Sequence, residues 1–163
     1  MDPAYVFFAA NYLAQGLIGI AYEPIYYLQK DVLHLGPAQS AAFASAMSFP
    51  FLIKPLFGFL VDPLRGGRAR AALLAAAALA TSVGWLILAA LRGYAYGPTL
   101  ALLTLVNVGI IVCDVACDAV MVERGQALAK TGVYQAVQIF FLYTTLVATG
   151  IGGGWVSAHL SYR

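Results

Sequence analysis

Charge is what this sequence has least of. Nine Lys and Arg and seven Asp and Glu make up only 10% of its 163 residues, too few to present a soluble surface. A net charge of +2 is too small for a nucleic-acid partner, and the basic residues lie between apolar runs rather than in an interleaved patch, so no nucleic acid is expected. Cysteine is scarce too. Cys113 and Cys117 are the two present; four residues apart on a helix, they fit neither a C-x-x-C metal site nor an easy disulfide, and read as small apolar side chains. No metal and no cofactor is expected.

What the chain has in abundance is hydrocarbon. It is 62% hydrophobic with a mean hydropathy of +0.83, which makes it an integral membrane protein in contact with the lipid bilayer. Apolar runs cover about 4–28, 38–61, 71–91, 98–122 and 132–158, each near or above the ~20 residues that cross ~30 Å of hydrocarbon as a helix. The fold class expected is therefore all-α and polytopic, with about five transmembrane helices in one membrane domain. The first run is too long and too aromatic for a cleaved signal peptide. Arg65, Arg68, Arg70, Arg124 and Lys130 fall in the second and fourth connections, against Lys30, Arg92 and Arg163 on the other side. The richer side is read as cytoplasmic, which puts the N-terminus inside. The membrane is read as a cell inner or plasma membrane, with an organelle envelope as the alternative.

Against that background a few polar residues are expensive. Asp114 and Asp118 lie inside the fourth run, where a charge costs from roughly 3 to over 10 kcal/mol depending on the reference state. Four residues apart, they share one helix face, and Asn107, seven residues before Asp114, continues the stripe. Lys54 is the counterpart in the second run. It lies eight residues before Asp62, so ~12 Å deep at ~1.5 Å per residue; counted from Glu123, Asp114 and Asp118 lie roughly 14 and 8 Å deep. The two helices run the same way, so a pair of Lys54 with one aspartate lowers the cost that each bears alone. The second aspartate is then spare. Beside a like charge and away from water, it is the group suited to take up and release a proton. A purely structural three-charge cluster is the other reading.

Other candidates are weaker. Glu23 precedes Pro24, where a kink beside an acid reads as a gate or cavity lining, or else as a headgroup-level residue among Tyr22, Tyr26 and Tyr27. Gln15, Gln135 and Gln138, with Asn107, are amides at or near membrane depth. Such groups offer donor and acceptor edges to a ligand, and they also cross-link helices with no ligand. Gly150 and Gly154 are spaced to let helices approach closely. The two aspartates share one helix, which excludes an intramembrane aspartyl protease, whose pair must face each other from two.

The loop after the second run adds a pattern. Gly58, Asp62, Arg65, Gly66, Arg68 and Arg70 resemble the signature between the second and third helices of the major facilitator superfamily, with Pro63 where a basic residue is usual. That resemblance implies a cytoplasmic gate, in which Asp62 pairs with Arg124. YLAQG from Tyr12, LQKDVLHLGPAQ, FPFLIKPLFGFLVD and CDVACDAVMVERG together resemble the folate and biopterin transporter family over nearly the whole chain.

The family resemblance implies an incomplete N-terminal half of a major facilitator fold, ending where a sixth helix would begin. It implies a secondary active transporter and no enzyme, with a small folate- or pterin-like substrate and protons as partners. Asp114, Asp118 and Lys54 would couple the proton or hold the substrate, and Glu23, Asn107, Gln15, Gln135 and Gln138 would line its path. The rest of the pathway would come from a missing C-terminal half or a second subunit. Muropeptide and acetyl-CoA permeases have a similar lysine and aspartate pair and are the alternative, as is a half-transporter that moves nothing and serves as an assembly partner.

Overall fold

The computed structural model describes residues 2–64 and 67–160. Arg65, Gly66 and Arg163 lie outside the described residues. Among the described residues seven α-helices follow in order: α1 (Pro3–Leu17), α2 (Tyr22–Tyr27), α3 (Pro37–Leu52), α4 (Lys54–Val61), α5 (Gly67–Ala90), α6 (Tyr96–Leu128) and α7 (Thr131–His159). A 3₁₀ turn, Ile18–Ala21, joins α1 to α2, and a π turn, Leu28–Val32, follows α2. They make five helical spans long and apolar enough to cross a membrane: Pro3–Val32, Pro37–Val61, Gly67–Ala90, Tyr96–Leu128 and Thr131–His159. The fourth span outruns its apolar run, continuing past Glu123 and Arg124 to Leu128. The first charged pair marks where hydrocarbon ends, and a helix does not have to end there. Ala129 then takes φ 53° and lets the Lys130 amide close back on the Gly125 carbonyl at 2.8 Å, a left-handed stop.

The described chain forms two compact units, residues 2–28 with 120–160 and residues 29–64 with 67–119. In the first, α1 and α2 pack along α7. Pro24 has no N–H to give the carbonyl of Ile20, four residues back, and the span tightens into its 3₁₀ turn just there. Backbone polar groups freed inside a membrane must find partners in neighbouring helices. The hydroxyl of Thr149, buried on α7, lies 2.8 Å from the Thr145 carbonyl of its own helix and 3.0 Å from the Gly16 carbonyl, between which its one hydrogen is shared. A Cβ on Gly153 would lie 2.8 Å from the Ile20 carbonyl oxygen, and one on Gly16 would lie 2.5 Å from the Thr145 Cβ. Hydrogen in place of a side chain is what lets these backbones meet. The spacing argument chose other glycines: a Cβ on Gly150 or Gly154 would meet nothing within 4 Å. Their spacing is right for close approach but they lie on the face of α7 turned away from α1 and α2.

Asp2 ties the ends of three helices in this unit. Its Oδ1 accepts from the Ala4 amide at 3.0 Å, capping α1 ahead of Pro3, and from Arg124 Nη2 at 3.2 Å. Its Oδ2 accepts from the hydroxyl of Tyr134, whose fully buried ring packs on Tyr5 and Phe8 with centroids 5.2 and 5.1 Å away. The Tyr134 hydroxyl and then the Ala4 amide hold the Asp2 carboxyl below its ordinary range. A carboxyl depressed on folding contributes stability above its unfolded pKa and loses it only as pH falls through the folded value. The tie therefore holds at neutral and mildly acid pH.

In the second unit, α3, α4 and α5 all pack on α6. Val61, Ile111, Val115 and Ala116 form a buried cluster, closed by Phe57, Leu73, Leu74 and Ala119. Gly36 opens α3 at its cap, its amide donating to Gln39 Oε1 at 3.0 Å.

Two glycines one residue apart test this packing. Replacing Gly153 with Leu overfills the contact with Ile20 and should cost about 1–3 kcal/mol, whereas Gly154→Leu should stay within about 0.5 kcal/mol. Thermal unfolding of both variants in the same lipid checks it, and equal losses would contradict the assignment.

Candidate functional site

The second span is discontinuous where it carries its charge. Pro55 cannot donate to the carbonyl of Phe51, so α3 stops at Leu52. Ile53 sits at φ −97° and ψ 13°, outside the helical well, and α4 begins anew at Lys54. The Leu56 amide reaches back only to the Ile53 carbonyl, at 2.9 Å. This leaves an ammonium in the first turn of a helix, where the macrodipole disfavours a cation. Carboxylates opposite must make up the difference.

They do so from α6. Lys54 Nζ donates to Asp114 Oδ2 at 2.5 Å and to Asp118 Oδ2 at 3.0 Å. The expectation of one pair plus a spare aspartate is thus corrected. A four-residue step on a helix brings both carboxylates over the same turn, within reach of one flexible ammonium. The environments differ: the Asp114 side chain is 13% exposed, and those of Asp118 and Lys54 are 34% and 35% exposed. One carboxylate is sheltered and the other is more exposed.

Two turns earlier, Asn107 Nδ2 donates to the Met47 carbonyl at 2.8 Å. Asn107 with Met47 and Asp114 with Lys54 each pair residues 60 apart, so the two spans run parallel and in register. Asn107 thus cross-links α6 to backbone on α3 through one amide N–H. Cys113, on the neighbouring face, lies 3.8 Å from the Leu74 carbonyl on α5, and Cys117 is buried. Among the described residues no three His, Cys, Asp or Glu side chains are grouped to hold a metal ion.

The remaining candidates are dispersed. Gln138 is buried and Gln15 half-buried, while Glu23 and Gln135 are exposed; all four belong to the first unit. Asp62 follows the end of α4 and is exposed, Arg68 is exposed in the first turn of α5, and a Cβ on Gly58 would meet open space. Arg65 lies outside the described residues. Arg124, matched to Asp62 by the superfamily pattern, is bonded to Asp2. Sequence reasoning passed over Asp2, although Asp-Pro is a cap signature, and over the break at Ile53, which Pro50 and Pro55 announce. It also read Arg70 as a loop residue, whereas the side chain is buried on α5.

Five apolar spans among the described residues define a polytopic helical membrane protein, and its second unit holds an ammonium and two carboxylates engaged between two of them. Residues 14–160 match the model of the BT1 family, and the chain belongs to that family. It is 31% identical over 155 residues to a probable folate-biopterin transporter 4 of Arabidopsis thaliana, covering 91% of this chain and 31% of that protein. It is 32% identical over 146 residues to a folate-biopterin transporter of Synechocystis sp., covering 87% of this chain and 28% of that one. The chain thus spans about a third of the length of these relatives. No solved structure matches it.

Removing one member of the cluster should hurt more than removing it whole. Lys54→Met leaves two carboxylates facing each other, at a cost below the roughly 3–5 kcal/mol of a fully buried broken pair because the site is partly open. Adding Asp114→Asn and Asp118→Asn should restore part of that loss. Unfolding in lipid measures both, and a triple variant no more stable than Lys54→Met would contradict the pairing.

Proposed function

We propose that this chain forms part of a proton-coupled secondary transporter of the major facilitator type that carries folate- or pterin-like substrates, with its N-terminus cytoplasmic. The observation that carries the reading is one ammonium held between two carboxylates at membrane depth, in a family whose named relatives are folate-biopterin transporters. Folates carry carboxylates. Lys54 is the cation within the span able to meet one, and Asp118, more exposed and farther from Nζ than Asp114, is the acceptor for the proton.

The cycle follows from competition for one cation. A proton on Asp118 removes its hold on Lys54 Nζ, while Asp114, the closer and more sheltered partner, keeps the ammonium at its depth. A donor position on Lys54 is then open to an anionic substrate, so proton and substrate enter together. Loss of the proton returns Lys54 to Asp118 and displaces the substrate carboxylate. The pathway is completed by the remainder of a longer protein or by a second subunit. The loop of Gly58, Asp62, Arg65 and Arg68, with Arg124, takes the role of a cytoplasmic gate on the superfamily resemblance.

Uptake of labelled folate into vesicles, driven by a pH gradient, tests the reading in the complete transporter. Asp118→Asn should abolish gradient-driven uptake, and unlabelled biopterin should compete in the unaltered protein. Undiminished gradient-driven uptake in the variant would contradict proton coupling through Asp118; competition only by muropeptide or acetyl-CoA would contradict the substrate class.

A further inference from the structure

The break in the second span lies between two cross-ties to one helix, and the ties differ in kind. Upstream of Ile53, Asn107 Nδ2 holds the Met47 carbonyl of α3 at 2.8 Å. Downstream, Lys54 of α4 is held by Asp114 and Asp118 at 2.5 and 3.0 Å. The upstream tie is an amide to a backbone carbonyl, which neither a proton nor an anion at the carboxylates alters. The downstream tie is ionic, and anything that neutralises a carboxylate or competes for the ammonium weakens it. Between them Ile53 is outside the helical well, and Pro55 cannot restore the lost backbone bond.

We infer that Ile53 is a hinge and that Asn107 is the residue that positions it: Asn107 anchors α3 on α6 so that loosening Lys54 turns α4 alone. The common spacing of 60 residues supports this division, since both ties act across one parallel pair of spans two helical turns apart. Without Asn107 the loosening would be shared along the whole span, and Lys54 would lose its fixed register opposite Asp114. With it, occupancy of the ionic cluster is converted into the angle between α3 and α4. The purpose assigned to that movement rests on the transporter reading above, but the geometry does not.

The intact chain in lipid nanodiscs, without substrate, tests it by spin-label distances. With Cys113 and Cys117 replaced by Ala, labels at Phe59 of α4 and Leu105 of α6 report the hinge; labels at Ala42 of α3 and Leu105 report the anchor. All three positions are exposed. Asp114→Asn with Asp118→Asn should loosen Lys54. Phe59 lies ~9 Å beyond Ile53 at ~1.5 Å per residue, so a turn of ~20° shifts its distance by about 3 Å while the Ala42 distance holds. Adding Asn107→Leu should spread the Ala42 distance as well, and Asn107→Gln, which keeps a donor, should return it. Pro55→Ala restores the missing N–H and should narrow the Phe59 distribution again, in a variant with no reason to misfold.

An unmoved Phe59 distance on neutralising the aspartates would overturn the hinge. An Ala42 distance indifferent to Asn107→Leu would overturn the anchor. Because no transport is read, failure of folate uptake with these distances as expected would remove the transporter reading and leave the hinge; normal uptake with unmoved distances would do the reverse.

Discussion

An ammonium in a membrane helix has to be held, and the arrangement of the second unit follows from how Lys54 is held. Its cost in hydrocarbon is several kcal/mol at least, and its place in the first turn of α4 sets the helix dipole against it as well. Two carboxylates on one face of α6 meet both demands at once. That fixes the second span parallel to the fourth and in register with it. Where Asp114 and Asp118 must lie follows from where Lys54 is, and the reverse. The apolar cluster of Val61, Ile111, Val115 and Ala116 packs directly beyond.

The same arrangement is not a permanent weld. One cation is divided between two acceptors at unequal distance and exposure, so either carboxylate can be neutralised while the other still holds it. A fully buried pair with one partner would be harder to disturb. The broken second span complements it, since Pro55 removes a backbone bond at the residue beside the charge. The first span is interrupted as well, by a 3₁₀ turn before Pro24, and there α7 packs close, with Thr149 beside the Gly16 carbonyl and Gly153 beside that of Ile20. Discontinuous helices are tolerated in membranes where neighbouring helices satisfy what they expose.

Much of this was legible in the sequence because the membrane makes polarity expensive. Asp114 and Asp118 stood out by being there at all, their spacing gave the shared face, and counting residues from the helix ends brought Lys54 to the same depth. The counting assumed that the fourth helix ends at Glu123, and the helix runs on to Leu128; the match survived because Asp62 and Glu123, the two residues counted from, are themselves within one residue of the 60-residue register of the spans. What spacing left open was rotation. Gly150 and Gly154 have the right interval on the wrong face, and Gly153 makes the contact. The reach of a lysine to two carboxylates was also open, since depth fixes one coordinate and four flexible methylenes fix none. The ties of Asp2 could not be read from spacing, because beyond its cap bond its partners are Arg124 and Tyr134, more than 120 residues away.

The central claim is that Lys54 is shared by both aspartates and that the more exposed one carries the proton. Infrared difference spectra of the chain in lipid bilayers, acid minus neutral, read it directly through the carbonyl stretch of a protonated carboxyl. The account predicts a band that Asp118→Asn removes and Asp114→Asn leaves in place. A band that persists in Asp118→Asn and disappears in Asp114→Asn would contradict it.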